Sequence, residues 1–110
     1  MRVRVPRPMA AGILGCLLSS TAMQAQSDAA KTYKANCELC HGADGSGNTG
    51  PGKAFHAQDL RSADTQKQSD AQLVQTITKG REKMPAFGAK MKPDQIQMLV
   101  AYIRTLPPKK

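Results

Sequence analysis

Two cysteines and a histidine form the most chemically distinctive group in this sequence. Cys37 and Cys40 are separated by two residues, and His41 follows directly. Two thiols about one helical turn apart can each add to one vinyl group of a single porphyrin, and the next imidazole can then bind the iron. Because this C-x-x-C-H arrangement is the attachment signature of c-type haem, the sequence predicts one covalent haem c with His41 as an iron ligand.

Two other uses of the cysteine pair compete with haem attachment. A thioredoxin-like redox pair belongs to a strand-and-helix setting, but no strand-like run precedes Cys37. A zinc site could combine Cys37 and Cys40 with His56. It lacks an obvious fourth ligand, because His41 is adjacent to Cys40 and poorly placed to bind the same metal. Haem attachment is therefore the favoured interpretation.

A methionine provides a candidate for the second axial ligand of the iron. A thioether sulfur favours the ferrous state and raises the reduction potential. Met84 precedes Pro85, which disfavours helical geometry at Met84 and indicates a non-helical strap. Met98 falls within the last predicted helix, where core packing is the expected role of a methionine. Met91 fits either the surface or the core, and His56 is the rival ligand.

The first 25 residues have the layout of a secretory signal peptide. Three arginines precede an uncharged, mostly apolar run over 9–18, and small residues follow. This pattern predicts a cleaved leader over 1–25, a single domain over 26–110 and export to the periplasm. The apolar run is shorter than the ~20 residues of a membrane span. A lipid anchor at Cys16 is a weaker alternative, because the apolar run continues past that cysteine.

Composition limits how the exported domain can be held together. The chain has three cysteines, no Trp and 4% aromatic residues. Removal of the leader leaves the C-x-x-C pair, and a disulfide across so short a loop would stabilise little, because stabilisation grows with loop length. A domain near this size needs a covalent cross-link or a bound cofactor to be stable. We therefore expect the haem to supply part of the core.

Helical patterns flank the candidate ligands. A first helix, capped by Ser27, is expected to end at the C-x-x-C-H motif. The glycine-rich stretch over 42–52 indicates a loop. Ser69 and Gln72 form a capping box that begins another helix, and Gly80 is expected to end it.

The last predicted helix begins in the turn that contains Pro93. Its expected buried face comprises Ile96, Leu99, Val100 and Ile103. The sequence shows no alternating strand pattern, no repeat and no second domain. The fold class is therefore predicted to be all-α, with three to four short helices around one covalently bound haem c.

These motifs resemble those of the small class I cytochromes c, nearest the cytochrome c6 or c553 type. The resemblance rests on CELCHG at 37–42 and MPAFG at 84–88, and it extends over 27–106. It implies a compact cytochrome c fold in which the last helix crosses the first near Tyr33. It also implies that the carbonyl of Pro51 hydrogen-bonds the ligand histidine and fixes its tautomer.

The chain departs from the family pattern at two positions in the helices. Ala29 stands where the family commonly has a glycine at the helix crossing, and Lys92 stands where the last helix often begins with Thr or Ser. Neither departure affects the expected iron ligands, His41 and Met84.

The resemblance implies a one-electron carrier that cycles between Fe(II) and Fe(III), rather than an enzyme. With His41 and Met84 on the iron, no coordination position is open to a substrate. Two alternatives remain open: a haem subunit of a larger dehydrogenase or oxidase complex, and a haem-based gas or redox sensor.

The charge distribution indicates which partners such a carrier would meet. The segment over 79–92, called the basic strap below, holds one acid, Glu82, among five basic residues: Lys79, Arg81, Lys83, Lys90 and Lys92. We expect it to dock on acidic surfaces of redox proteins, although an ordinary solvated surface is an equal alternative. The net charge of +8 does not indicate nucleic acid binding, given export and few aromatics. We expect the protein to be a monomer. Arg61 is the candidate residue for binding the haem propionates.

Overall fold

Helices account for the regular secondary structure of the part of the chain that is described. The computed structural model describes residues 2–6, 8–9, 12 and 19–109. Within them the helices are α1 (Ser19–Asn36), α2 (Glu38–His41), α3 (Gly50–Ala54), α4 (Ala63–Gln66), α5 (Asp70–Lys79) and α6 (Pro93–Arg104). In the same residues, the sole β-type pairing is an isolated bridge between Arg81 and Met84. The predicted all-α class is confirmed.

The contact between α1 and α6 forms the centre of the core. Tyr33 on α1 and Leu99 on α6 are each 1% exposed. The Tyr33 ring lies 5.1 Å from that of Tyr102, and its hydroxyl donates a 2.6 Å hydrogen bond to the carbonyl of Gly42. Ala29 is also buried, so a methyl group lies where the family resemblance led us to expect a glycine. Tyr33 thus fixes both the crossing of the helices and the residue that follows the C-x-x-C-H motif.

Helix α5 begins and ends where local sequence signals predict. The Ser69 side chain accepts from the Gln72 backbone, and the Gln72 side chain accepts from the Ser69 backbone. Gly80 follows the helix with φ at 72°, a left-handed conformation that favours glycine. Leu73 and Ile77 form its buried side, which packs towards α6.

Helix α6 buries the predicted face and exposes one predicted core residue. Its buried residues are Ile96, Leu99, Val100 and Ile103. Met98, expected in the core, is 36% exposed, because it projects away from that buried stripe. Met91, just before the helix, is buried. The core-packing assignment was therefore wrong for Met98, and Met91 takes the core position.

Two helices begin at positions that differ from the sequence prediction, each for a local reason. Helix α1 begins at Ser19 rather than after Ser27, because 19–26 contains no glycine or proline that would stop it. Helix α3 begins inside the predicted loop, where the Thr49 side chain accepts from the Gly52 backbone. Cys16 and most of the apolar run of the predicted leader lie outside the described residues. Among the described helices, none is long and apolar enough to cross a membrane.

Candidate haem site

The turn from α1 into α2 places the two cysteines on one side of the chain. The backbone N–H of Cys37 donates to Tyr33, and that of His41 donates to Cys37, at 2.8 and 2.9 Å. The backbone therefore stays helical through the motif, and residues three apart face the same way. Cys37 and Cys40 are both free thiols, partly buried. The helical backbone therefore places the two thiols about one turn apart, the spacing that attachment of one haem requires.

The environment of Cys37 favours the protonated thiol in the protein without haem. Burial, followed by the nearby charge of Cys40, raises the pKa of the Cys37 thiol to about 11. The described part of the chain also holds no group of three or more His, Cys, Asp or Glu side chains that could bind a metal ion. His56, the proposed zinc ligand, is exposed on a loop.

The His41 ring is held by the backbone of a residue that sequence reasoning did not identify. Its Nδ1 lies 3.0 Å from the carbonyl oxygen of Gln58. A carbonyl only accepts hydrogen bonds, so Nδ1 carries the proton and Nε2 keeps the lone pair that an iron ion binds. Burial lowers the pKa of His41, and the hydrogen bond to Gln58 partly opposes that shift. The neutral, iron-binding form is therefore favoured.

The hydrogen bond expected from Pro51 is not formed. The Pro51 carbonyl accepts from the Phe55 backbone at 2.9 Å, because α3 begins at Gly50 and turns that carbonyl into its own first turn. Gln58 occupies the acceptor position instead. The backbone carbonyl that orients His41 therefore belongs to Gln58 and not to Pro51, and it leaves Nε2 unprotonated.

A glycine allows α3 to lie directly against the cysteine motif. A Cβ atom on Gly52 would overlap the carbonyl oxygens of Cys40 and Gly47. The Thr49 hydroxyl, which caps α3, also donates to the Leu39 carbonyl at 2.7 Å. These contacts fix the loop that leads towards Gln58 against the helix that carries His41.

Met84 lies on a strap that is fixed at both ends. Arg81 and Met84 exchange two backbone hydrogen bonds of 3.1 and 2.9 Å, and Glu82 between them adopts a left-handed φ of 54°. Further along, the Phe87 backbone donates to Ile77 at 3.0 Å, which ties the strap to α5. The position of the Met84 backbone is thus determined by hydrogen bonds on either side of it.

Met84 and Cys37 border the same apolar core. Both are partly buried and pack against the cluster that includes Leu60, Leu73 and Phe87. The C-x-x-C-H motif and the Met84 strap, which are far apart in the sequence, therefore pack against the same hydrophobic core. Two thiols, an imidazole with a free Nε2 and a thioether are the donor set of a covalently attached haem, so these residues fit haem c.

The two remaining candidate residues lie outside this donor set. His56, the rival ligand, is exposed and has a φ of 55°. Arg61, the candidate for binding the propionates, forms a bidentate ion pair with Asp59, with nitrogen–oxygen distances of 3.1 and 3.2 Å. Its guanidinium is thus engaged by a carboxylate of the chain itself.

Comparison with known proteins agrees with this fold. A family model described as "Cytochrome C oxidase, cbb3-type, subunit III" matches residues 24–103. Cytochrome c6 of Nostoc sp. is 36% identical over 90 residues, which cover 77% of this chain and 75% of that protein. The KustC0563 c-type cytochrome has a similar structure, with a TM-score of 0.68, 33% identity and coverage of 74% of this chain and 99% of that one.

A longer relative matches the same domain. The cbb3-type cytochrome c oxidase subunit FixP of Azorhizobium caulinodans is 38% identical over 78 residues, which cover 70% of this chain. The match spans 26% of that subunit. The domain therefore occurs both as a small cytochrome and as part of a larger chain.

The fold, the C-x-x-C-H motif and these similarities together define a small c-type cytochrome. The chain belongs to the class I cytochrome c family, with relatives among the cytochromes c6 and the cbb3-type oxidase subunits. It is an electron carrier that binds a single haem c covalently.

Proposed function

We propose that this protein is a periplasmic one-electron carrier whose haem iron is bound by His41 and Met84 and whose haem is attached through Cys37 and Cys40. The observation that carries this proposal is the hydrogen bond between His41 Nδ1 and Gln58, which leaves Nε2 free for iron. The fixed Met84 strap, packed on the same core as Cys37, supports a sulfur ligand from the other side. When bound, haem c supplies the Fe(II)/Fe(III) couple.

The chain's own residues suit electron transfer because they hold their positions. The backbone bonds around Met84 and the bond from His41 to Gln58 hold both proposed ligands in place, which limits their movement when the iron changes charge. A site that rearranges little needs little energy to accept or lose an electron. The basic amino-terminal segment and the apolar run after it support export to the periplasm.

Purification of the exported protein tests the proposed carrier. We expect a mass that exceeds the polypeptide by one haem, which stays on the chain after denaturation. The ferric spectrum should contain a methionine-to-iron band, and redox titration should follow a single one-electron transition. A product with the bare polypeptide mass would contradict haem attachment, and a bis-histidine spectrum would contradict Met84 as ligand.

We further propose that the basic strap docks on acidic redox partners. All five of its basic side chains are exposed, and Lys83 lies with its Nζ 5.4 Å from the centre of the half-exposed Phe55 ring. Clustered positive charge accelerates association with an acidic surface, and salt screens that attraction. The strap that carries Met84 would thereby face the partner.

Salt dependence measures this docking. With an acidic redox partner, we expect the second-order electron-transfer rate to fall by roughly tenfold or more between low salt and 0.5 M NaCl. Lys83→Glu should lower the rate at low salt more than Lys67→Glu. The second variant makes the same charge change outside the basic strap, in the turn before α5. Rates that are independent of salt, or equal in the two variants, would argue for an ordinary solvated surface.

A role as a subunit of a larger oxidase is the second candidate. The family match and the similarity to FixP favour it. Copurification of the native protein with a catalytic subunit would support this role, whereas isolation as a free monomer would support the diffusible carrier.

A further inference from the structure

Arg61 holds the chain segment that supplies the hydrogen-bond acceptor for His41. Gln58 is followed by Asp59, and the carboxylate of Asp59 accepts from the Arg61 backbone at 2.9 Å and from its guanidinium. The Asp59 carbonyl also accepts from the Thr65 hydroxyl at 3.2 Å. These bonds fix the peptide immediately after the Gln58 carbonyl.

Arg61 also connects this segment to the loop on the other side of His41. Its guanidinium lies 3.9 Å from the carboxylate of Asp44, and the Leu60 backbone donates to Gly45 at 2.8 Å. The loop that contains Asp44 returns to the ligand, because the Gly47 backbone donates to the His41 carbonyl at 2.7 Å. One guanidinium therefore joins the two chain segments that enclose His41.

Partial burial strengthens the ion pair between Arg61 and Asp59, whereas the contact with Asp44 is weak because that side chain is 59% exposed. The Arg61 side chain is 18% exposed and that of Asp59 is 20% exposed, so solvent screens their attraction only partly. The guanidinium contacts both carboxylate oxygens of Asp59, which fixes orientation as well as distance. A lysine retains the charge but cannot form this bidentate contact with the carboxylate.

We propose that Arg61 is a positioning residue that, through Asp59, holds the Gln58 carbonyl against His41 Nδ1 and thereby tunes the reduction potential. This inference rests on the proposed haem ligation. A hydrogen bond at Nδ1 makes the imidazole a stronger donor to a metal ion. A stronger donor favours Fe(III), so a loosened Gln58 carbonyl raises the potential.

The charge-conserving variant Arg61→Lys tests the proposal. We expect a higher reduction potential than in the wild type, with the methionine-to-iron band retained. In NMR spectra the His41 Nδ1 proton should exchange with solvent about three- to tenfold faster, as expected for a weakened hydrogen bond. Asp59→Glu keeps the charge but moves the carboxylate away from its bidentate contact with Arg61, so it should also raise the reduction potential. It provides a second test if the first variant folds poorly.

Arg104→Lys is the matched control. Arg104 is likewise a partly buried arginine, bound to Asp70 at 2.9 Å and to the Gln66 carbonyl at 2.7 Å, but it joins α6 to the α4–α5 turn. Its replacement should lower the melting temperature without raising the potential. An unchanged potential in both Arg61→Lys and Asp59→Glu, with the band present, would overturn the positioning role and leave the carrier function intact. A wild type without covalent haem would overturn both.

Discussion

Replacement of Met84 by alanine will remove the methionine-to-iron absorption band of the ferric protein and lower its reduction potential. A thioether favours Fe(II), and alanine offers no donor atom in its place. Axial ligation alone spans about 0.8 V among haem proteins, so we expect a drop of roughly 0.1–0.3 V. Optical spectra of the ferric protein and a redox titration of the same sample measure the two effects.

The other two methionines of the predicted exported domain over 26–110 provide matched controls. Met91 is buried and Met98 is 36% exposed. Met91→Ala should therefore cost about 2–5 kcal/mol of stability through loss of core packing, while Met98→Ala should cost far less. Both should retain the band. A Met84→Ala protein that keeps the band, or a Met91→Ala protein that loses it, would show that the ligand is misassigned.

Local signals in the sequence predicted the elements that carry the proposed ligands. The capping box of Ser69 and Gln72 and the end of α5 at Gly80 depend on residues within a few positions of each other. The same holds for the two cysteines, whose relative placement follows from one helical turn. Since these interactions involve neighbouring residues, they could be predicted without knowledge of the packed structure.

The partner of His41 could not be predicted in this way. Gln58 accepts the hydrogen bond through its backbone, so its side chain leaves no sequence signature for that role. The family resemblance pointed to Pro51, but the cap provided by Thr49 starts α3 at that point and directs the Pro51 carbonyl into the helix. Which carbonyl reaches the imidazole depends on how the loop after α3 returns, and therefore on long-range contacts such as those of Arg61.

The methionines illustrate a second limit of sequence reasoning. Helical position placed Met98 in the last helix, but burial depends on which face of that helix meets α1 and α5. Ile96, Leu99 and Ile103 define that face, and Met98 lies beside it. Met91 precedes the helix, so no periodicity could assign it, and only the packed fold shows it in the core.

Replacement of both Cys37 and Cys40 by alanine should leave little folded protein. Cys37 and Met84 are both only partly buried and pack at the margin of the apolar cluster, which is where an attached haem would add apolar surface. A domain of this size has few large side chains to replace that contribution. We expect low yield and loss of a cooperative thermal transition, measured by circular dichroism of the exported product.

Two cysteine controls separate haem attachment from a general effect of the substitution. Cys16→Ala lies in the predicted leader, so it should leave the melting curve of the secreted protein unchanged. Cys40→Ala alone retains one thiol for attachment, and its stability should be intermediate between the wild type and the double variant. A double variant that melts cooperatively with full helical content would mean that the cluster around Tyr33 and Leu99 is sufficient by itself. Because Cys37 and Met84 are only partly buried where they pack against that cluster, we expect it to be insufficient without the apolar surface of the haem.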